Sequence, residues 1–324
     1  MRVGKLTSQE LQEEVLSKLK VKRKETLLSA ALGEDCCAIR TDKITLYSSD
    51  PITACEDIHE LGALVVNVCC NDIAACGGTP IAILLTLILP SKATKEDVGI
   101  IMDGAQKRSE ELGIDILGGH TEFSDSVIRP IACGTAIGTT DKLLTKKDLK
   151  VNQSLLVTKS LGMEGATLLA YKYSDLLSVS EREAVRVMAE SLSVQKESDT
   201  LSSLDYVSCM HDVTEGGILG AVAEICESVG LGAEIYEAAM PIDPVTEKLC
   251  RKANVNPLRL LSSGSMLVST SNPDSCIKKL SEVGIKATEI GRVTSGAVRL
   301  IKKDGSTEEI KILPDEICGK GDIE

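Results

Sequence analysis

The sequence has very few aromatic residues and no tryptophan. It contains five tyrosines and one phenylalanine among 324 residues. Proteins that bind single-stranded nucleic acids without sequence preference stack the bases on exposed aromatic side chains, so the composition argues against that class. The hydrophobic core must be built from Leu, Ile, Val, Ala and Cys instead.

The sequence also lacks an excess of basic charge. Lys and Arg number 36 against 48 Asp and Glu, and the formal net charge is −12. This balance opposes nonspecific binding to nucleic acids or to anionic membranes. Nucleotide binding stays open, because a divalent cation can bridge acidic side chains to phosphates. We therefore predict no nucleic-acid partner.

Long hydrophobic runs are missing as well. The longest, Ile81–Leu89, has the length of a strand and falls short of the ~18 residues that indicate a membrane span. The first residues do not resemble a signal peptide. Twelve cysteines without such a signal indicate a reducing compartment and free thiols. We predict a cytoplasmic protein with no membrane association.

The segment from Leu61 to Gly78 is almost wholly apolar, yet it contains Asn67, Asn71 and Asp72. Its composition and the closing glycines predict a helix. Asn67 and Asn71 are four residues apart and share one face, and Asp72 lies roughly 100° round from Asn71. A buried carboxylate is costly unless it is paired or binds a metal. Two interpretations stay open: a core helix with a satisfied polar cluster, or a metal or phosphate site.

The first half of the chain predicts the element order β-α-β-α-β-β between residues 44 and 138. This order is typical of α+β layering, with helices on one face of a mixed sheet. A second predicted helix runs from Thr94 to Leu112. The predicted strands are Ile44–Ser49, ending at Asp50-Pro51; Ile81–Leu89; Ile114–Leu117, buried and leading into a loop at Gly118–Glu122; and Arg129–Gly138.

The polar stretch Thr139–Gln153 predicts a domain boundary. We expect an N-terminal domain over residues 1–145 and a C-terminal domain over residues 146–324, with a flexible tail at 314–324. The second half also predicts α+β structure. Residues 180–203 are helical in this prediction, and the strand Val207–Met210 precedes the motif His211–Gly217, HDVTEGG.

Four acidic or glycine-rich points lie at predicted element ends or on apolar elements. They are Gly33-Glu34-Asp35, Ser49-Asp50, Asn71-Asp72 and Gly118–Glu122. Mg²⁺ typically bridges one or two carboxylates to substrate phosphates, and glycines let backbone amides approach an anion. Each signal is weak alone, and their order and spacing carry the inference.

Together these stretches resemble the superfamily of aminoimidazole ribonucleotide (AIR) synthase. Its members include thiamine monophosphate kinase, selenophosphate synthetase and the hydrogenase maturation factor HypE, and the likeness is greatest to HypE-like and AIR synthase-related proteins. The resemblance covers the chain from about residue 30 onward. It rests on GEDCCAI, SSDPI, NVCCNDIAACGGTPIAILLTLILP, DILGGHTE, LLVTKSLGMEGATLLA, HDVTEGGILGAVAEI and LSSGSMLVS, in that order.

The resemblance implies a two-domain PurM-like fold with α+β domains. The N-terminal domain would be ferredoxin-like and would pair its sheet with a second copy in a homodimer, and ATP would bind in a cleft between subunits and domains. The resemblance also implies residue roles. Asp35, Asp50 and Asp72 would hold Mg²⁺, Asn71 would support them, Gly118, Gly119 and Thr121 would flank the triphosphate, Asp212 would face the cleft, and Gly216 and Gly217 would open a helix suited to an anion.

One departure from the family pattern is His120, which stands where relatives have an acidic residue. A neutral imidazole is a poor Mg²⁺ ligand. His120 could instead contact phosphate, act as an acid or base, or hydrogen-bond Glu122. Glu122 is then the candidate substitute metal ligand.

A second departure is the C-terminal tail. HypE-type proteins end in Pro-Arg-Ile-Cys, whose thiol receives a carbamoyl group that ATP helps to dehydrate to a thiocyanate. Here Pro314-Asp315-Glu316 precedes Ile317-Cys318, and six residues follow. Cys318 is either a modified thiol or a coincidental cysteine.

These observations predict a Mg²⁺-dependent, ATP-binding enzyme of ligase or kinase type. It would activate an oxygen of a small-molecule substrate or of a carbamoyl group by phosphoryl transfer, and a HypE-like role implies a maturation-protein partner. One alternative is a catalytically silent nucleotide-binding scaffold of the same fold. Another is a small-molecule kinase like thiamine monophosphate kinase.

Overall fold

A computed structural model describes most of the chain. It covers residues 8, 9, 12, 26–28, 31–34, 37–40, 42–53, 55 and 57–313. The predictions made for Asp35, for Cys318, for the tail and for most of the first helix lie outside the described residues.

The first half forms a six-stranded sheet with two helices on one face. Its strands are β1 (Thr26–Leu28), β2 (Cys37–Arg40), β3 (Ile44–Ile52), β4 (Thr79–Pro90), β5 (Asp115–Ser124) and β6 (Ile131–Thr140), and its helices are α1 (Ile58–Ala75) and α2 (Lys95–Leu112). The strand order is β1-β2-β3-β6-β4-β5, with β5 parallel to β4. This arrangement confirms the predicted β-α-β-α-β-β order and the mixed sheet.

Local sequence signals set the ends of α2. Thr94 begins α2 in a capping box with Asp97, and Gly113 ends it in the left-handed conformation at φ 68°; this matches the prediction closely. The two helices cross very closely. A Cβ on Gly62 would lie 1.9 Å from the carbonyl oxygen of Ile101, so only glycine permits this approach.

The second half forms a seven-stranded sheet with helices around it. Its strands are β7 (Ser154–Thr158), β8 (Val207–Asp212), β9 (Gly232–Tyr236), β10 (Met266–Thr270), β11 (Ala287–Thr294), β12 (Val298–Ile301) and β13 (Thr307–Glu309), in the order β13-β12-β9-β11-β7-β10-β8. Its helices are α3 (Met163–Lys172), α4 (Val179–Glu190), α5 (Gln195–Leu201), α6 (Gly217–Glu227), α7 (Pro244–Ala253) and α8 (Pro273–Glu282). The predicted α+β character is confirmed.

The two halves share their hydrophobic core. One buried cluster joins Leu64 and Ile101 of the first half to Met163 and Val245 of the second. By length and composition α1 could cross a membrane, but 78% of that helix window is buried inside the protein, so here it is a core helix. A domain boundary between residues 145 and 146 stays a prediction.

Several strand predictions were wrong at their ends, beginning with β3. Strand β3 continues through Asp50 and Pro51 to Ile52. Pro51 is still in register with Cys133 of β6. The described pairing of β3 with β2 ends at Tyr47, so the missing N–H of proline is tolerated on that side of the strand.

The Gly118–Glu122 segment is not a loop, because β5 continues through it to Ser124. Nor is this strand buried as predicted, since Leu117 is 63% exposed. One glycine of the pair, Gly119, permits a close approach of β5 to β4. A Cβ on Gly119 would lie 1.6 Å from the carbonyl oxygen of Leu85 on β4.

The helical and strand predictions of the second half also needed adjustment. Residues 180–203 form two helices, α4 and α5, separated by residues 191–194. Strand β8 extends through His211 and Asp212, so these two motif residues lie on a strand. The β8 extension follows from its pairing with β10, in which His211 and Asp212 lie opposite Leu267 and Met266.

Candidate functional site

The carboxylate of Asp72 is buried on the sheet-facing side of α1. Only 7% of the residue is exposed, and the hydroxyl of Ser48 on β3 donates a hydrogen bond to its Oδ2. Ser48 is itself buried. A buried carboxylate needs such partners or a cation, and Ser48 supplies one of these partners.

Asp50 lies two residues from Ser48 on the same strand. Side chains alternate along a strand, and the alternating burial of β3 places Asp50 on the helix-facing side with Ser48. The Sγ of Cys69 on α1 lies 3.9 Å from the carbonyl oxygen of Asp50. Burial, with a further contribution from the Asp50 charge, raises the pKa of the Cys69 thiol. Asp50 and Asp72 therefore share the space between β3 and α1.

The chemistry of this donor set fits Mg²⁺, which prefers oxygen ligands and commonly takes one or two protein carboxylates. Asp50, Asp72 and the hydroxyl of Ser48 are all oxygen donors. Among the described residues, no group of three or more His, Cys, Asp or Glu side chains forms a metal site. Asp35, the third expected carboxylate, lies outside that part of the chain.

Asn71 projects from a different sector of α1. Its Nδ2 donates to the carbonyl oxygen of Leu192 at 2.8 Å, and its Oδ1 accepts from the N–H of Val194 at 3.0 Å. The residue is 1% exposed. Its carboxamide is therefore occupied by the backbone of the second half of the chain, and its role toward a nucleotide stays a prediction.

His120 and Glu122 lie on β5 and hydrogen-bond each other, with 3.2 Å between His120 Nε2 and Glu122 Oε2. The strand register pairs them with Thr86 and Ile88 of β4. These β4 residues alternate with buried neighbours that face the helices. His120 and Glu122 thus lie on the open face of the sheet, away from Asp72.

Gly118, Gly119 and Thr121 border a shallow pocket of about 290 Å³ beside His120. Gly119 on β5 pairs with Leu85 on β4, and Leu85 pairs with Gly134 on β6. Gly134 in turn pairs with Asp50 on β3, so the four residues form one row across the sheet. Three strand spacings separate the ends of that row, roughly 14 Å. Within one chain the structure does not bring the β5 residues into contact with the Asp50–Asp72 pair.

In the second half, Asp212 is 1% exposed at the end of β8. The Nε2 of its neighbour His211 lies 3.4 Å from Oε2 of Glu224 on α6. Gly216 and Gly217 have positive φ angles of 79° and 60° at the start of α6. Such a helix N-terminus presents backbone N–H groups suited to an anion.

The sequence interpretation missed two residues that adjoin these motifs. Ser48 belongs to the SSDPI stretch, and strand alternation predicts that its side chain shares a face with Asp50. Lys146 is buried in the linker, and its Nζ would lie 2.6 Å from a Cβ on Gly33. No local pattern marks this lysine, because it is one of four lysines in the segment Thr139–Gln153.

Comparisons with known proteins match both halves of the chain. The family model described as AIR synthase related protein, N-terminal domain, matches residues 30–140, and the corresponding C-terminal domain model matches residues 150–303. The matched ranges correspond to the two sheets described above.

Two curated relatives resemble the chain over most of its length. A Methanocaldococcus jannaschii protein named as a hydrogenase expression/formation protein is 26% identical over 72% of this chain and 70% of its own. The thiamine-monophosphate kinase of Pyrococcus horikoshii is 26% identical over 90% of this chain and 92% of its own.

Solved structures share the fold. Hydrogenase maturation protein HypE in complex with ATP aligns with a TM-score of 0.72 at 18% identity, covering 97% of both chains. A chain of the HypE–HypF complex aligns with a TM-score of 0.73 at 18% identity, covering 86% of this chain and 93% of that one. These likenesses confirm the predicted two-domain PurM-like fold.

Proposed function

This chain belongs to the AIR synthase related family, and we propose from this that it is an ATP-dependent enzyme of ligase or kinase type. It activates an oxygen of a small substrate or of a carbamoyl group by phosphoryl transfer, with Mg²⁺ as the cation. The ATP complex of HypE and the name of the P. horikoshii relative support the use of ATP.

The observation that carries this proposal is the buried Asp72 carboxylate on an otherwise apolar helix. With Asp50 on the same side of β3, it supplies two oxygen donors for one cation. When bound, Mg²⁺ would offset the charge of the phosphates and fix their orientation. The protein's own contribution is to hold these carboxylates rigidly, which Ser48 does for Asp72.

The remaining predicted residues take supporting roles in this proposal. The N-terminus of α6 at Gly216 and Gly217 offers backbone N–H groups to an anionic group. Asp212, buried at the end of β8, comes from the same motif. His120 lies on the open face of the sheet rather than beside Asp72.

Replacing Asp72 tests the site directly. We expect Asp72→Asn to weaken Mg²⁺-dependent ATP binding by at least about tenfold, or ~1.4 kcal/mol, in titration calorimetry. Asp103→Asn on the exposed side of α2 is the matched control and should bind as the wild type does. Absence of binding to the wild-type protein at millimolar ATP would refute the proposal.

A HypE-like reaction at Cys318 is the finer form of the proposal. The described chain ends at Leu313, whose carbonyl oxygen would lie 3.3 Å from a Cβ on Gly216, and Arg259 donates to the carbonyl of Lys311. The last described residues therefore lie beside the α6 N-terminus. Five further residues span at most roughly 17 Å, which keeps Cys318 within reach of that end.

In this reaction a partner protein transfers a carbamoyl group from its own carrier to the Cys318 sulfur, which loses its proton. The carbamoyl oxygen then takes the γ-phosphoryl group of ATP, ADP leaves, and the nitrogen loses one proton. Elimination of phosphate, which takes the second N–H proton, leaves the thiocyanate. The HypE–HypF complex supports a maturation-protein partner of this kind. Intact-mass analysis should show gain of a carbamoyl group followed by loss of one water, and Cys318→Ser should show neither. An unmodified wild-type tail would point to a different acceptor.

Thiamine monophosphate phosphorylation is the second candidate. The kinase of P. horikoshii covers 90% of this chain, a longer match than that of the hydrogenase-related protein. Formation of thiamine diphosphate from ATP would favour it over the HypE-like reaction. A protein that binds ATP but does not turn it over with any acceptor tested would instead fit the catalytically silent scaffold.

The open face of the first sheet supports the proposed homodimer. Ile81 and Leu84 on β4 are large apolar residues exposed by 47% and 40%, and Tyr47 and Ile137 on the same face are half-buried. An exposed apolar face with an edge strand is a surface that soluble proteins normally cover. A second copy of this face is the proposed cover.

A further inference from the structure

Residues 190–194 comprise the last residue of α4 and the connection to α5. They are held by side chains from both halves of the chain. Asn71 on α1 binds the segment in two places, donating to the Leu192 carbonyl and accepting from the Val194 N–H. One carboxamide thus pairs with the segment much as a neighbouring strand would. Both interactions are buried.

Lys159 holds the same segment from the second half. Its Nζ donates to the carbonyl oxygens of Ser191 at 3.0 Å and Ser193 at 2.6 Å, and it lies 2.9 Å from Oε1 of the fully buried Glu197. The backbone of Lys159 is left-handed at φ 56°, which is unfavourable for any residue but glycine. This conformation persists because the side-chain contacts fix the residue in place.

Arg108 on α2 completes the set. Its Nε donates to Oδ1 of Asn67 at 2.6 Å, and its Nη2 lies 3.4 Å from the carbonyl oxygen of Glu190. Asn67 and Asn71 share one face of α1, so this face as a whole is directed at residues 190–194.

The position of α1 against the second half depends on these contacts. Val194 packs in one cluster with Ala74 and Ala75 at the end of α1 and with Met210 on β8. Met210 precedes Asp212 by two residues, and Asp72 follows Asn71 directly. A shift of residues 190–194 would therefore change how Asp72 is placed relative to Asp212.

We infer that Asn71 and Lys159 are positioning residues of the nucleotide site, which hold residues 190–194 so that α1 and the second half keep a fixed arrangement. They do not contact the nucleotide in this inference, which rests on the proposed function of Asp72. Positioning errors far from the reacting atoms can cost about a hundredfold in rate.

Hydrogen exchange with and without Mg–ATP tests the coupling. In the wild-type protein, Mg–ATP should slow the exchange of the amides at 190–194. Asn71→Ala should still bind Mg–ATP, and its loss of affinity should be several-fold smaller than that of Asp72→Asn. The slowing of amide exchange at 190–194 by Mg–ATP should be lost in this variant. Single-turnover phosphate release should fall by about tenfold or more.

A second variant acts on the same segment from the other side. Lys159→Gln combined with Glu197→Gln removes both buried charges together, so neither is left unpaired. The double variant should abolish the slowing of amide exchange at 190–194 by Mg–ATP. Adding Asn71→Ala to it should lower the rate of phosphate release little further, because the effects of substitutions that act through one element are not additive. Glu111→Gln, which removes only the outer partner of Arg108, is the control and should retain the slowing.

Three outcomes separate the possibilities. If wild-type protein binds Mg–ATP without any change at 190–194, the inference is wrong and the proposed function stands. If Asn71→Ala loses binding as fully as Asp72→Asn, Asn71 contacts the nucleotide and the inference is also wrong. If the wild type does not bind Mg–ATP, the proposed function itself fails.

Discussion

At the scale of single residues, α1 shows how neighbouring positions serve different purposes. Asn71 faces residues 190–194, whereas Asp72 faces β3 and its hydroxyl donor Ser48. Consecutive residues of a helix point roughly 100° apart. Asn71 can therefore join the two halves of the chain while Asp72 remains a candidate cation ligand. The polar cluster of this helix is therefore two sites rather than one.

The half-buried pair of Glu181 and Lys248 leads to a residue-scale prediction about acid stability. The Lys248 ammonium, followed by the Ser178 backbone N–H, lowers the pKa of Glu181 to about 2. Since the folded pKa lies below the unfolded value of about 4.3, this stabilisation is present above pH 4.3 and is lost as the pH falls toward 2.

Glu181→Gln should therefore reduce the dependence of the urea midpoint on pH between about 4.3 and 2. Above that window the variant should be less stable than the wild type, and the two should converge in acid. Parallel curves across the window would contradict the assignment. Glu183→Gln, whose pKa is lowered by Arg186 instead, would show whether the effect is particular to the Lys248 pair.

At the scale of elements, β5 depends on its two glycines in different ways. Both have φ 146°, but an added Cβ on Gly118 would meet nothing within 4 Å, whereas one on Gly119 would overlap the Leu85 carbonyl. Substitutions at these two positions therefore distinguish the cost of backbone strain from the cost of moving the two strands apart.

Gly118→Ala should cost only the backbone strain, about 1–3 kcal/mol. Gly119→Ala should cost more, ~4 kcal/mol or above, because β4 and β5 would have to separate. Equilibrium denaturation of both variants checks this. Equal losses would mean that the close approach to Leu85 does not limit the strand pair.

At the scale of the whole molecule, the open face of the first sheet is the feature that a single chain leaves exposed. Its apolar residues lie opposite the helices and beside the edge strand β5. His120 and Glu122 occupy the same face, so pairing with a second copy would bring them near a neighbouring chain.

Leu84→Arg should convert the proposed dimer into a monomer, because an unpaired charge buried in an apolar interface is strongly unfavourable. Light scattering coupled to size exclusion measures the mass. Leu176→Arg replaces a similarly exposed leucine, 45% against 40%, on the second half, and should leave the mass unchanged. A monomeric wild type would contradict the dimer.

Local sequence patterns by themselves determined the helices and most strands. The capping box and Gly113 set α2, and the apolar run with its closing glycines predicted α1. The spacing of Asn67 and Asn71 also predicted their shared face. These features depend on residues within a few positions of one another, so they are legible without the fold.

Only the tertiary structure decided what those residues contact. The backbone partner of Asn71 at Leu192 lies 121 positions away, and no local pattern specifies such a pairing. The extension of β3 through Pro51 and of β5 through Gly118 and Gly119 likewise depends on neighbouring strands. Strand ladders and contacts between domains are long-range interactions, and for that reason the sequence predicted the presence of a site but not the arrangement of its residues.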